Sequence, residues 1–234
     1  MTPALIQIAD LSKAYGALRP LRVASLSVAP GESVAIVGLD RPAAEMFVNL
    51  LTGATLPDRG AVEVFGRTTS SIEDSDAWLA LVDRFGIVSE RAVLLDGLSV
   101  AQNLAVPFTL EIEPPPDDVR RRVEALAAEV GLDAGALSRL AGEIDATMRA
   151  RMRVARALAL DPDVLLIEHL SADVPRAEVA ALGSSIRRVA EQRGAAVIVA
   201  TMDLEFARAV AQRVLTLEPA TGKFSTRRGW LRGR

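Results

Sequence analysis

A short loop after a buried strand is the first place in this sequence where the residue types suggest chemistry. The apolar run Ser33–Val37 predicts a strand buried on both faces, Gly38 follows it, and the spacing of apolar residues predicts a helix over Ala43–Leu51. Such a loop can wrap phosphate groups with backbone N–H groups. It then needs glycines, a lysine for the phosphate oxygens and a hydroxyl for magnesium.

The loop from Gly38 to Glu45 keeps little of this chemistry. Ala43 stands at the position of the second glycine, Ala44 at that of the lysine, and Glu45 at that of the hydroxyl. The preceding Pro42 removes one backbone donor. Arg41 could replace the lysine only with a different loop shape. The loop therefore predicts poor phosphate binding.

A second candidate site follows the buried strand predicted at Val164–Ile167. Glu168 could hold Mg²⁺, and the imidazole of His169 could accept a proton from an attacking water near neutral pH. A second interpretation is that His169 merely ends a buried strand and has no catalytic role, and we favour this one. Likewise, the carboxylates of Asp40, Glu45, Glu90 and Glu168 could bind a cation, although solvated loop charges explain them as well.

Composition excludes several classes of protein. Among 234 residues there is no cysteine and one histidine, which rules out disulfide frameworks and multi-histidine zinc centres. The net charge of −3 from 27 basic and 30 acidic residues argues against nucleic acid as a partner. Neither a leader pattern nor a membrane-spanning apolar stretch is visible, so we expect a cytoplasmic protein.

Alternating strand and helix patterns predict an α/β fold with a largely parallel sheet, preceded by an antiparallel β region around a turn at Tyr15–Pro20. Further strands are predicted at Gly60–Gly66, Phe85–Val88, Ala195–Ala200 and Val214–Leu217, and helices at Asp117–Val130, Ala134–Leu140, Ala146–Leu160, Arg176–Arg193 and Glu205–Val214. The predicted organisation is a first part of the core at 1–99, a helical subdomain at 100–158, a second part of the core at 159–226 and a basic tail at 227–234. The tail is either a solvated end or a contact for anionic lipid or a partner.

Four segments in order resemble the ATP-binding cassette (ABC) ATPase domain. They are residues 11–38 (from LSKAYG to the glycine loop), 84–108 (from RFGIV to LAVPF), 154–168 (VARALALDPDVLLIE) and 198–218 (IVATMDLEFARAVAQRVLTLE). The resemblance implies a P-loop NTPase-like cassette with a mostly parallel core sheet, an antiparallel β region and an inserted helical subdomain. The fragments Thr147–Arg151 and Val106–Phe108 resemble the lipid-trafficking Mla/Mce branch.

The resemblance also assigns roles to positions, most of which carry other chemistry here. Glu90 stands at the family's glutamine, Glu168 and His169 at its Walker B aspartate and glutamate, and Met202 at its switch histidine. Ile144–Met148 replaces the LSGGQ signature. Tyr15 stands where the family stacks an aromatic ring on adenine, and a half-buried strand residue beside the turn is the alternative interpretation. ATP and Mg²⁺ are thus the implied cofactors, and the substitutions predict that they bind poorly or not at all.

The resulting hypothesis is a cassette that does not hydrolyse ATP. It would pair with a second, active cassette in a heteromer and dock on an integral-membrane permease, peripheral to the inner face of the cell membrane. The docking cleft would lie near Glu90, with the apolar residues Ile87, Leu94, Leu95 and Phe108. One alternative is an active ATPase with Arg41, Glu168 and His169 as substitutes for the family's residues. Another is a scaffold or regulator without a transporter.

Overall fold

A computed structural model describes residues 3–225, in which short strands and helices alternate along the chain. The strands are β1 (Ile6–Lys13), β2 (Leu21–Val28), β3 (Ser33–Val37), β4 (Arg59–Val64), β5 (Arg67–Thr68), β6 (Phe85–Val88), β7 (Val164–Glu168), β8 (Ala196–Thr201), β9 (Arg213–Glu218) and β10 (Lys223–Ser225). The α-helices are α1 (Arg41–Leu51), α2 (Ser75–Val82), α3 (Val100–Ala105), α4 (Asp117–Val130), α5 (Ala146–Leu158), α6 (Arg176–Arg193) and α7 (Leu204–Val210).

The core is a six-stranded sheet in the order β10-β9-β3-β8-β7-β6. All its neighbouring strands are parallel except β10, which is antiparallel to β9. Successive residues of β8 point into two different cores: Val197 and Val199 pack among α3 to α7, whereas Ile198 and Ala200 pack with α1 and the second sheet. Burial on both faces explains the nearly continuous apolar runs of these strands, and the predicted parallel sheet is confirmed.

The second sheet is antiparallel, in the order β2-β1-β4-β5. Along β1 and β2 the apolar residues alternate with exposed polar ones, because one face packs against the core and the other meets solvent. Its buried face shares a core with α1 and the main sheet. The predicted antiparallel region is thereby confirmed, and it packs along the length of the chain's first helix.

The segment between β6 and β7 is helical, as predicted, but one of its predicted helices is wrong. Ala134–Leu140 contains only a 3-10 turn at Ala134–Ala136. The carbonyls of Leu137 and Arg139 accept hydrogen bonds from the N–H groups of Ala101 and Val100 at the start of α3. Leu140 also forms an isolated antiparallel bridge with Ser99, and the N–H of Ala141 donates to the carbonyl of Leu98, so pairing with the chain before α3 overrides the local helical pattern.

Other boundaries move by a few residues. The predicted helix Glu205–Val214 ends at Val210, because Gln212 donates its backbone N–H to Ser33 and β9 pairs with β3 from Arg213 onwards. Within residues 3–225, no helix is both long enough and apolar enough to cross a membrane. The division at residues 100 and 158 remains a prediction, and the basic tail at 227–234 lies outside the described residues.

Candidate functional site

In the loop between β3 and α1, a carboxylate of the chain itself accepts a hydrogen bond from the backbone. Asp40 is the N-cap of α1, and its Oδ1 accepts a hydrogen bond from the N–H of Ala43 at 2.9 Å. Pro42, in the first turn, offers no donor, and the N–H of Ala44 bonds to the carbonyl of Asp40. The helix begins at Arg41, two residues before the predicted start, because Asp40 caps it and proline is tolerated there.

The small residues at this loop fit close contacts with the surrounding core. A Cβ at Gly38, whose φ is 105°, would lie 3.3 Å from the carbonyl oxygen of Leu217. Ala43 and Ala44 are buried in the core that α1 shares with both sheets. Because Ala44 is fully buried, a longer side chain at that position would have to displace core residues or move the first turn of α1.

Two arginines bind three of the carboxylates predicted at the site. Arg91 donates to Glu45 Oε1 at 3.0 Å and also to Glu168, and Arg41 donates to Glu90. Our expectation for these acids was either a cation site or solvated loop charges. It left out Arg91, whose bonds connect α1, the segment after β6 and the end of β7. These residues are called the arginine–carboxylate network below: Arg41, Glu45, Glu90, Arg91 and Glu168.

Glu168 is the buried member of the arginine–carboxylate network. Its side chain is 9% exposed, and it accepts a second hydrogen bond from the Ser89 hydroxyl at 3.2 Å. The network lines a cavity of about 160 Å³ together with Ser89 and His169. Within residues 3–225, no group of acidic or histidine side chains has the arrangement of a metal site. The carboxylate of Glu168 accepts hydrogen bonds from an arginine and a serine, and a magnesium contact there stays a prediction.

His169 and Met202 lie at the ends of neighbouring parallel strands. His169 follows β7 with φ of 45°, and its backbone N–H donates to Ala200 at 2.9 Å. Its Nε2 is buried and has no hydrogen-bond partner among residues 3–225. Met202 follows β8 and is 61% exposed. A thioether neither donates a hydrogen bond nor relays a proton, so it cannot replace the family's histidine in chemistry.

The segment at the signature position has the same construction as the loop before α1. Asp145 is the N-cap of α5 and accepts a hydrogen bond from the N–H of Met148 at 2.8 Å. An aspartate is thus the N-cap of both α1 and α5, the two helices at whose N-termini the resemblance implies phosphate contacts. Its negative charge at each end would repel a phosphate that approached from outside.

Tyr15 lies two residues beyond the end of β1, beside the turn as the alternative interpretation expected, although outside the strand itself. It is half-buried and packs against the core beside α1. Burial, followed by the nearby charge of Asp40, raises the pKa of its phenol above the ordinary value. Its place beside the start of α1 is compatible with an adenine contact, which stays a prediction.

A separate cleft lies between α5 and β6. Its volume is about 260 Å³, and its wall includes Phe85, Ile87, Leu94, Pro107, Arg153 and Arg156. This set is called the α5–β6 cleft below. Of the four apolar residues predicted to form a docking cleft, Ile87 and Leu94 line it. Leu95 is exposed beside Leu94, and Phe108 packs against the helical core under the Arg122 guanidinium.

Asp203, next to Met202, holds the end of β8 to the start of α6. It caps α7 and accepts hydrogen bonds from Arg176 and from the Ser171 hydroxyl. Burial alone would raise the pKa of its carboxyl, but the bonds from Arg176, Phe206 and Ser171 outweigh burial and lower it below 3.8. A lowered pKa means that the carboxylate stabilises the fold at neutral pH.

We therefore expect Asp203→Asn to lower the free energy of unfolding by about 1 kcal/mol at pH 7, since one charge-assisted bond is lost. The wild type should exceed the variant in unfolding free energy by this full amount above the pKa that Asp203 has in the unfolded chain, near 3.8. The difference should disappear as the pH falls through the lower pKa of Asp203 in the folded protein. Urea unfolding at several pH values measures this difference. A deficit that persists unchanged at pH 2 would contradict the prediction.

Comparison with known proteins identifies relatives over most of the chain. Residues 21–169 match the family described as ABC transporter. The methionine import ATP-binding protein MetN of Brucella abortus is 27% identical over 92% of this chain, which spans 57% of that relative's length. The histidine/lysine/arginine/ornithine transport ATP-binding protein HisP of Salmonella typhimurium is 26% identical over 91% of this chain and 85% of its own length.

Solved structures share the fold at low sequence identity. One is cbiO1 of Clostridium perfringens, part of the ABC transporter complex cbiONQ, with a TM-score of 0.80 and 18% identity over 95% of this chain and 87% of its own. Another is a dimeric ATP-binding cassette in a post-hydrolysis state bound to ADP and Pi, with a TM-score of 0.75 and 19% identity over 96% of this chain and all of its own. These likenesses establish the cassette fold.

Proposed function

The chain belongs to the ABC transporter family, and we propose that it serves a membrane transporter as a cassette subunit that does not hydrolyse ATP. The observation that carries the proposal is the arginine–carboxylate network, because its internal ion pairs take the place in which ATP and Mg²⁺ would have to be bound. The proposed subunit keeps the fold of an active cassette, and this fold positions it against its partners. It no longer hydrolyses ATP.

The described residues do not fit Mg-ATP. A triphosphate needs free N–H donors and a cation at the start of α1. Here Asp40 occupies the N–H of Ala43, Ala44 is a buried alanine, and Arg41 is bound to Glu90. Magnesium needs carboxylate and hydroxyl oxygens that are free. Glu168 is bound to Arg91 instead, so neither half of the cofactor has its ligands.

This lack of ligands also argues against the alternative of a substituted active site. Arg41 and Glu168 would each have to leave its present partner, and His169 would have to act as the base without an orienting acceptor on its buried Nε2. General bases in hydrolases are held by a second group. The alternative of a scaffold without a transporter is disfavoured by the α5–β6 cleft, whose apolar lining suits a partner segment.

We further propose a heteromer. Two copies of this chain would contain no working nucleotide site, whereas a second, active cassette would supply one. Docking on an integral-membrane permease would place the complex at the inner face of the cell membrane. For the transported compound, the names of relatives that match 91–92% of this chain favour amino-acid import, while the five-residue fragment Thr147–Arg151 favours lipid transport. We propose amino-acid import, because its support extends over most of the chain.

Calorimetric titration of the purified chain with Mg-ATP tests the proposal. We expect no binding heat up to millimolar ATP, no rise in melting temperature and no phosphate release, since a ligand that binds the native state must stabilise it. Binding in the micromolar range would contradict the proposal. In that case Arg41→Ala and His169→Ala would identify the substitute cation and base of an active enzyme.

A further inference from the structure

A groove on the antiparallel sheet takes no part in the proposed function. Its volume is about 540 Å³, and residues of β1, β2 and β4 line one side of it, among them Ala9, Ser25 and Ala61. Arg213 of β9 and Phe224 of β10 line the other side. These five residues define what is called the sheet groove below. A cavity of this size has room for several side chains.

The shape of the sheet groove follows from the register of its strands. Ala9 of β1 lies opposite Ser25 of β2 and opposite Ala61 of β4, and all three are exposed. Directly opposed Cβ atoms are about 5 Å apart, so these small side chains leave a hollow roughly 10 Å wide. Phe224 is half-buried and packs against the core at the side of this hollow. An aromatic ring in the groove would therefore lie between small side chains and a second ring, which is a favourable arrangement.

One carboxylate of the sheet groove has no cation among residues 3–225. Glu63 is half-buried and lines the groove, and it forms no ion pair within these residues. Arg213 differs, because its Nε lies 2.8 Å from Glu32 Oε1 and its Nη2 donates to the carbonyl of Ser27. The charge of Arg213 is thus compensated, and that of Glu63 is left for a cation from elsewhere.

The chain continues directly from the sheet groove into its basic tail. Ser225 ends β10 next to Phe224, and residues 226–234, with the sequence TRRGWLRGR, lie outside the described residues. They combine four arginines with Trp230 and Leu231, and so contain both a large ring and the cations that would complement the groove. Trp230 is five residues beyond Ser225, a length of chain that spans at most about 17 Å. It can therefore reach the groove beside which its segment begins.

We propose that residues 226–234 bind the sheet groove of their own chain, with the indole of Trp230 between Ala9 and Phe224 and an arginine of the segment paired with Glu63. The basic tail thus receives an intramolecular site in place of solvent or an anionic lipid surface. The inference is independent of the proposed function, since no residue of the arginine–carboxylate network lines the sheet groove. Bound in this way, the segment covers a sheet face that another chain could otherwise contact.

The fluorescence of Trp230 tests the proposal. The sequence has two tryptophans, Trp78 and Trp230, so Trp78→Phe makes the full-length chain a single-tryptophan reporter. We expect acrylamide to quench Trp230 at least about threefold less efficiently in this chain than in the peptide TRRGWLRGR, because a packed ring is shielded from water. Equal quenching in chain and peptide would overturn the proposal. Shielding that appears only with phosphatidylglycerol vesicles, or that grows with protein concentration, would also overturn it, in favour of a lipid surface or a second copy.

Two substitutions in the reporter locate the site. Ala61→Arg fills the sheet groove and should raise the quenching of Trp230 to that of the peptide. Ala180→Arg, on the exposed side of α6, is the matched control and should leave it unchanged. If both variants kept the shielding of the reporter, the site would lie elsewhere and the proposal would be wrong.

A thermal measurement does not depend on Trp78→Phe. In the otherwise unchanged chain, Trp230→Ala should lower the melting temperature by roughly 2–4 °C. Added to Ala61→Arg, it should cause no further fall, because both changes remove the same contact. A melting temperature for Trp230→Ala equal to or above that of the wild type would contradict the proposal.

Discussion

Replacing Arg91 by methionine is expected to lower the free energy of unfolding by about 2 kcal/mol, since the carboxylate of Glu168 would be left buried without its cation. Removing one partner of a fully buried pair costs more, but Arg91 is 43% exposed, and water can replace part of its contact. For a chain of this size the loss corresponds to a fall of roughly 4–8 °C in melting temperature. Thermal and urea unfolding measure both quantities.

Two further variants identify the cause of that loss. Glu45→Gln removes the charge of the other carboxylate that Arg91 binds. The Glu45 side chain is 48% exposed, so this change should alter the free energy of unfolding by less than about 0.5 kcal/mol. In the Arg91→Met background, Glu168→Gln should restore at least half of the loss, because the unpaired charge is gone. If Glu168→Gln added its own loss to that of Arg91→Met, the two side chains would not be energetically coupled. Their ion pair would then contribute no more to stability than an exposed pair does.

Most of the fold could be predicted from the sequence because local pattern and tertiary environment agree in it. The apolar runs at Ser33–Val37 and Val164–Ile167 lie in strands covered on both faces, where an uninterrupted apolar sequence is required. The segment Ala134–Leu140 shows where this reasoning stops. Its residues allow a helix, but Leu140 pairs with Ser99 in an antiparallel bridge, and no local pattern predicts such a contact.

Most of the residues that line the cavity of the candidate site were named from the sequence, but the ion pairs between them were not predicted. Ala44 and Glu45 lie in α1, and Glu90, His169 and Met202 follow β6, β7 and β8. Arg91 was missed because it matches no family motif. The signal was nevertheless present, since Arg91 directly follows Glu90 and acids that converge at the ends of parallel strands require cations. Asp40 was similarly treated as a charge, although an aspartate before a helix is foremost a cap.

Rebuilding the phosphate loop should give the chain an affinity for ATP that, under the proposed function, the present loop does not provide. The variant combines Asp40→Asn, Pro42→Ser, Ala43→Gly, Ala44→Lys and Glu45→Ser, and it keeps Arg41 so that the bond to Glu90 is preserved. It supplies the glycine, lysine and hydroxyl of a phosphate loop and removes the carboxylate cap. Without nucleotide it should be less stable than the wild type, because Ala44 is fully buried and a lysine there must open the first turn of α1.

Mg-ATP should reverse that loss, because it supplies the anion that the opened turn and its lysine require. At a concentration 100 times the dissociation constant, the expected stabilisation is about 2.7 kcal/mol. Phosphate release should stay absent, since Met202 has no proton to relay and His169 has no group on its Nε2 to orient it. The matched control carries the other four substitutions and retains Ala44. If the full variant and this control responded to ATP equally, the missing lysine would not be what keeps nucleotide out of the site, and the pairing of Glu168 with Arg91 would become the leading cause.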